Sequence, residues 1–85
     1  MVPAVVQSLA TLQRGVDAEV VSVEGGGAIA VRLLEMGFVP GSHVSVVKAA
    51  PFGDPLEFCL RGYHVSLRKA EAARVKVTGV KVASP

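Results

Sequence analysis

The stretch Ala28-Ile29-Ala30-Val31-Arg32-Leu33-Leu34-Glu35-Met36-Gly37-Phe38-Val39-Pro40-Gly41 decides the fold. Its first nine residues read as a helix. Ile29, Leu33 and Met36 recur at i, i+4 and i+7, with Ala30 and Leu34 beside them, while Arg32 and Glu35 fall on the polar side. Gly37 stops the helix, because the closing residue takes a left-handed conformation that glycine reaches without a Cβ clash. Phe38 stands where the apolar contact of such a cap belongs. Pro40-Gly41 then fits a type II turn, with proline setting φ at one centre and glycine supplying positive φ at the next. Everything around this one abrupt helix is built of short alternating segments, which predicts a mainly β fold.

Working outward, the upstream chain opens on Met1–Gln7, read as a frayed end. Ser8–Leu12 reads as a short helical or 3₁₀ turn closed by Gly15, and Asp17–Glu24 as the first strand. Gly25-Gly26-Gly27 breaks the chain before the helix. Downstream, His43–Ala49, Leu56–Arg61, Tyr63–Arg68 and Arg74–Thr78 read as four more strands. Turns fall at Pro51–Pro55, with Gly53 inside it, and at Gly62. Lys69–Ala73 reads as a single 3₁₀ turn, and the tail to Pro85 as loose.

The period of two along each strand sends Val44, Val46, Leu56, Phe58, Leu60, Val65, Leu67, Val75 and Val77 into one core. It sends His43, Ser45 and Val47, then Glu57, Cys59 and Arg61, then His64, Ser66 and Arg68 outward. A turn centred near Gly62 would set Glu57 opposite Arg68, Cys59 opposite Ser66 and Arg61 opposite His64. Five short antiparallel strands on one core predict a small closed barrel, since closure removes exposed edges.

Composition agrees. The chain has 85 residues, enough for one small domain spanning 1–85 with its core at about 9–78. Apolar residues make up 51% of it, and a mean hydropathy of +0.49 excludes a disordered tail. Seventeen valines against three Phe, one Tyr and no Trp favour strands. So short a chain has little room for a cofactor cleft, which points to binding or regulation rather than catalysis. The net charge of +2 is too weak to demand a nucleic-acid partner. Its distribution is uneven: Arg61, Arg68, Lys69, Arg74, Lys76 and Lys81 crowd the C-terminal third, with Glu71 the one acid among them. A single Cys59 excludes an intramolecular disulfide and fits a reducing cytoplasm. Met1–Gln13 lacks the basic start of a signal peptide. No apolar run approaches the ~18 residues of a membrane span.

Candidate chemistry is sparse. Gly25-Gly26-Gly27-Ala28-Ile29-Ala30 fits G-x-G-x-x-A, but a dinucleotide fingerprint needs a parallel βαβ unit and an acidic residue about 20 positions on, where this chain has Val47 and Lys48. His43, Cys59 and His64 face outward on neighbouring strands, yet their spacing matches no standard metal motif. His43 and His64 are the surface candidates for iron or zinc, through a site shared between two molecules. No serine, threonine or cysteine has a visible base, so catalytic residues are not expected. Only Tyr63 and Phe52 are placed to stack bases, which makes nucleic-acid binding a weaker alternative.

The run Arg32-Leu33-Leu34-Glu35-Met36-Gly37-Phe38-Val39-Pro40-Gly41 closely resembles the R-L-x-E-x-G-[LFI]-x-x-G signature of the FeoA family. Four more segments extend the resemblance from Leu9 to Thr78. They are Leu9-Ala10-Thr11-Leu12-Gln13-Arg14-Gly15, Phe52-Gly53-Asp54-Pro55-Leu56, Gly62-Tyr63-His64-Val65-Ser66-Leu67-Arg68 and Glu71-Ala72-Ala73-Arg74-Val75. The resemblance implies an SH3-like barrel with a helix inserted after the first strand. It implies a small, non-enzymatic cytoplasmic accessory of bacterial ferrous iron uptake. The implied partner is FeoB, a membrane permease carrying a cytosolic G-protein domain, and no required cofactor is implied. The same fold also occurs as the C-terminal domain of metal-dependent repressors. On this reading the partner surface is the helix end and cap, with Leu34, Glu35, Met36, Val39 and Pro40 in contact and Gly37, Gly41, Gly53 and Gly62 shaping turns. Ile29, Leu33 and Phe38 are expected to pack the helix on the barrel. Self-association and a surface-bound divalent metal remain open.

Overall fold

A computed structural model describes residues 6–82. Its elements are β1 (Val6–Ser8), a 3₁₀ turn (Leu9–Thr11), β2 (Val16–Val23), α1 (Gly27–Met36), β3 (His43–Ala49), β4 (Leu56–Leu60), β5 (Tyr63–Leu67), α2 (Lys69–Ala72) and β6 (Val75–Val82). All strand pairs are antiparallel, in the order β1-β6-β2-β3-β4-β5. The antiparallel sheet leaves no βαβ unit around Gly25–Gly27.

Six strands form where sequence periodicity suggests five. Val6, Gln7 and Ser8 pair with Thr78, Val77 and Lys76, so Gln7 belongs to the sheet and is not a frayed end. Residues 1–5 lie outside the described residues. The last strand also runs on to Val82, which pairs with Val16, where the sequence suggests a loose tail from 79. Alternation hides this extension, because the register slips between Asp17 and Ala18 opposite the Gly79–Lys81 stretch. Residues 83–85 lie outside the described residues. Further slips fall between Val20 and Ser22 and between Val46 and Lys48. Such bulges bend a strand and raise its twist, which curls the sheet around one core.

The two end strands, β1 and β5, are not hydrogen-bonded to each other. Leu9 of the 3₁₀ turn and Ala72 of α2, both fully buried, pack in the gap between them. Around these lies a single apolar core of Phe38, Phe58, Leu33, Leu60, Leu67, Val20, Val44, Val75 and Val77. Fully burying one such side chain is worth about 1.5–3 kcal/mol, so these nine together with Leu9 carry a chain of this size. Every residue that the period of two sends inward is buried except Val65, which is half-buried against the core.

The β4–β5 register differs from the sequence expectation by two residues. Leu60 pairs with Tyr63, leaving Arg61 and Gly62 as a two-residue turn. Both have positive φ, 52° and 89°, as a type I′ turn requires. Glycine meets that demand freely, whereas a side chain held there costs roughly 1–2 kcal/mol. The register expected from sequence, with Arg61 opposite His64, would put Gly62 and Tyr63 in the turn and leave Arg61 in the strand. The tight turn instead sets Cys59 opposite His64 and Glu57 opposite Ser66, so Glu57 does not face Arg68. The shift is an even number of residues, so every side chain keeps its face.

Candidate functional site

Helix α1 packs through a narrow stripe. Ala30 and Leu33 are its buried residues, and Met36 lies half-buried against the core. Ile29 does not join this stripe and stays 39% exposed. The small Ala30 occupies the contact centre, which leaves Ile29 on the rim. Val31 and Leu34, one turn apart, form the opposite rim, at 54% and 41% exposed. Sequence periodicity missed Val31, since apolar content alone does not say which of four neighbouring aliphatics a short helix will bury. Glu35 is exposed between the rims.

The helix ends in a Schellman arrangement. The Gly37 amide donates to the Leu34 carbonyl at 3.0 Å and the Phe38 amide to the Leu33 carbonyl at 3.1 Å. Gly37 has φ 116°, and a Cβ built there would sit 3.4 Å from Leu60 Cδ2. The next turn is bound to β2 by its backbone. The Gly41 amide donates to the Val20 carbonyl at 2.9 Å, and the Val20 amide to the Ser42 carbonyl at 2.8 Å. The Ser42 amide closes the Pro40-Gly41 turn on the Val39 carbonyl at 3.0 Å, with Gly41 at φ 92°. Val39 is half-buried and Pro40 exposed.

Opposite this turn, the Arg61 amide donates to the His43 carbonyl at 3.2 Å and holds the β4–β5 hairpin tip against the start of β3. Between the two lies an open cleft of about 440 Å³ lined by Val39, Pro40, Gly41, Ser42, His43 and Arg61. Gly53 sits in the β3–β4 loop at φ 81°, away from this cleft, with its amide donating to the Ala50 carbonyl at 2.7 Å. That loop carries Phe52, which is 99% exposed. The other exposed aromatic, Tyr63, stands at the far end of β4, so the two do not form one stacking platform.

Several polar surface groups are engaged with one another. Arg32 on α1 pairs with Glu71, whose other oxygen accepts from the Arg68 amide at 2.9 Å at the start of α2. Asp54 accepts from the Lys69 amide at 3.0 Å. His43 Nδ1 lies 3.3 Å from Asp17 Oδ2, and His64 Nδ1 lies 2.9 Å from Glu57 Oε2. Lys48 Nζ reaches the other Glu57 oxygen at 3.8 Å. β4 separates the two histidines in the sheet, so they do not meet. Each brings one nitrogen and one carboxylate, and no three His, Cys, Asp or Glu groups converge among the described residues. Cys59 faces His64 across the ladder, but no hydrogen bond joins them among the described residues. The arrangement offers a rigid turn, an apolar helix rim and a cleft with a cationic wall. That is the equipment of a binding surface.

Comparison with known proteins places these features. The model of the FeoA domain matches residues 7–79. The chain is 45% identical over 69 residues to an Fe(2+) transport protein A/Fe(2+) transporter FeoB fusion protein of Porphyromonas gingivalis. The match covers 81% of this chain and 8% of that relative, so the chain spans a small fraction of the fusion's length. Among solved structures, iron(II) transport protein A from Clostridium thermocellum superposes with a TM-score of 0.82 at 36% identity, covering 87% of this chain and 46% of that one. FeoA of Stenotrophomonas maltophilia, solved in complex with zinc and described as a procaryotic SH3 domain protein, gives 0.74 at 39% identity, covering 84% and 88%. The strand order and inserted helix are thus those of an SH3-like module.

Proposed function

The chain belongs to the FeoA family of ferrous iron transport, and from that premise we propose that it is a non-enzymatic accessory that binds the cytosolic part of an FeoB-type permease. The observation that carries this reading is the fusion, in which a domain similar to this chain and an FeoB transporter form one polypeptide. Covalent linkage supplies a high effective concentration, and a separate chain must replace it with a contact surface.

We assign that surface to the α1 rim and cap: Val31, Leu34, Glu35, Met36, Val39 and Pro40. Support comes from the exposure of Val31 and Leu34 beside a backbone-bound turn, since rigid apolar groups lose little entropy on docking. Calorimetric titration of the permease's cytosolic domain with wild-type protein and with Leu34→Gln tests it. Binding weakened at least tenfold is expected, and binding unchanged in a folded variant would remove this surface.

A second reading rests on the zinc complex of the Stenotrophomonas relative. The Asp17–His43 and Glu57–His64 pairs each supply two donors, and a second molecule would complete a tetrahedral set. Sedimentation with added zinc checks this, and a species that stays monomeric argues against it. The location proposed for both readings is the cytoplasm. No described helix is long and apolar enough to cross a membrane.

A further inference from the structure

Arg61 is a cation placed where the local backbone argues against a side chain. It is the one non-glycine residue at positive φ among the described residues, in a turn position that favours Asn, Asp or Gly. Departures of this kind persist where the surrounding structure makes use of them. The Arg61 guanidinium makes no hydrogen bond or ion pair among the described residues, whereas those of Arg32 and Arg74 reach Glu71 and the Gly26 carbonyl. Only its backbone amide secures the hairpin, and any residue supplies that.

Arg61 instead lines the 440 Å³ cleft with Val39, Pro40 and His43. No carboxylate lines the cleft. Asp17 on the neighbouring strand is engaged by His43 at 3.3 Å, and Glu19 stands opposite His43 in the β2–β3 ladder without lining the cleft. Arg61, without an ion-pair partner among the described residues, and His43, held by Asp17, therefore share the cleft with Val39 and Pro40. A guanidinium grips a carboxylate through two parallel N–H donors, and the wall suits an aliphatic side chain beside it.

We propose that this cleft binds an acidic peptide segment of a protein partner, with Arg61 clamping one carboxylate and Val39 and Pro40 seating an adjacent aliphatic side chain. The proposal rests on the reading of this chain as a partner-binding subunit and names the chemistry of the segment it takes. A lone cation with an apolar wall fits a peptide better than a nucleic-acid backbone, which needs a row of cations.

The test uses ¹⁵N-labelled full-length protein titrated with the acetylated, amidated peptide Glu-Glu-Leu-Glu and with its Gln-Gln-Leu-Gln counterpart. Saturable shifts at Val39, Gly41–His43, Arg61 and Gly62 with the acidic peptide alone are expected. Arg61→Gly relieves the backbone strain, so its thermal midpoint should equal or exceed wild type while peptide affinity falls at least tenfold. Equal shifts from both peptides, no shifts at the cleft, or equal response to inorganic phosphate would overturn the proposal. A parallel titration with the permease's cytosolic domain separates the two readings. Peptide binding without permease binding upholds the cleft and overturns the choice of partner. Permease binding that Arg61→Gly leaves intact, in the absence of cleft shifts, overturns the cleft and keeps the partner.

Discussion

The Phe38 amide donates to the Leu33 carbonyl at 3.1 Å, and both side chains are fully buried. The helix terminus and the barrel core are thus one structure: the cap that ends α1 also drives Phe38 into the centre. Surface residues on either side of the cap inherit their positions from it.

Gly37→Ala should therefore cost about 1–2 kcal/mol. The left-handed φ of 116° is strained for alanine, whereas the new Cβ, 3.4 Å from Leu60 Cδ2, would meet it at about van der Waals contact. Urea unfolding followed by circular dichroism reads this as a lowered midpoint with an unchanged slope. Phe38→Ala should cost about 3–5 kcal/mol, enough to leave so small a domain largely unfolded.

Glu71 holds two elements together, pairing with Arg32 of α1 and accepting from the Arg68 amide of α2. Glu71→Ala should cost about 1–2 kcal/mol through loss of the cap. Arg32→Gln should cost under about 1 kcal/mol, because the arginine is exposed and its pair is screened by solvent. Denaturant midpoints of the two variants check the order. Equal losses would show that the ion pair, not the cap, dominates.

The two rims of α1 should behave differently toward the permease. Val31→Gln and Leu34→Gln should each weaken binding about tenfold, with thermal midpoints near wild type, since exposed substitutions stay within about 0.5 kcal/mol. Ile29→Gln, on the opposite rim, should leave binding unchanged. Calorimetry on the three variants locates the surface on one flank.

The hairpin register has a direct chemical test. Cys59 and His64 are opposite one another across the β4–β5 ladder, one pair beyond the closing Leu60–Tyr63 pair. Directly opposed strand residues bring Cβ atoms within disulfide reach. His64→Cys should oxidise readily to an intramolecular disulfide, and Ser66→Cys should not. Non-reducing electrophoresis and mass spectrometry distinguish them. The opposite result would restore the register expected from sequence, with Arg61 opposite His64.

Much of this was legible in the chain itself. The helix over Ala28–Met36, its glycine stop, the Pro40-Gly41 turn and the inward valines and leucines of β3 to β6 follow from periodicity and from the φ demands of glycine and proline. These are local rules, set by steric limits on one or two residues at a time. The chemistry of the surface was less legible. Alternation correctly sent His43, His64 and Glu57 outward, but not which carboxylate each histidine would meet. Val31 and Leu34 looked no different in sequence from Ile29.

What only the tertiary structure decided is therefore relative placement. The pairing of Val6–Ser8 with β6 joins residues about 70 positions apart. No local propensity encodes it, because its gain comes from backbone pairing with a strand that the rest of the fold must first bring alongside. The two-residue turn falls on Arg61 and Gly62, in the register that sets Leu56 opposite Leu67 and Phe58 opposite Val65. A register two residues away would keep the same faces but set Leu56 opposite Lys69, so cross-strand pairing rather than facing distinguishes the two. The same choice brings Arg61 to the Val39-Pro40 turn and makes the cleft. Sequence determined most of the elements and their faces; pairing between distant strands determined where the faces meet, because its gain is made only once the chain has brought those strands together.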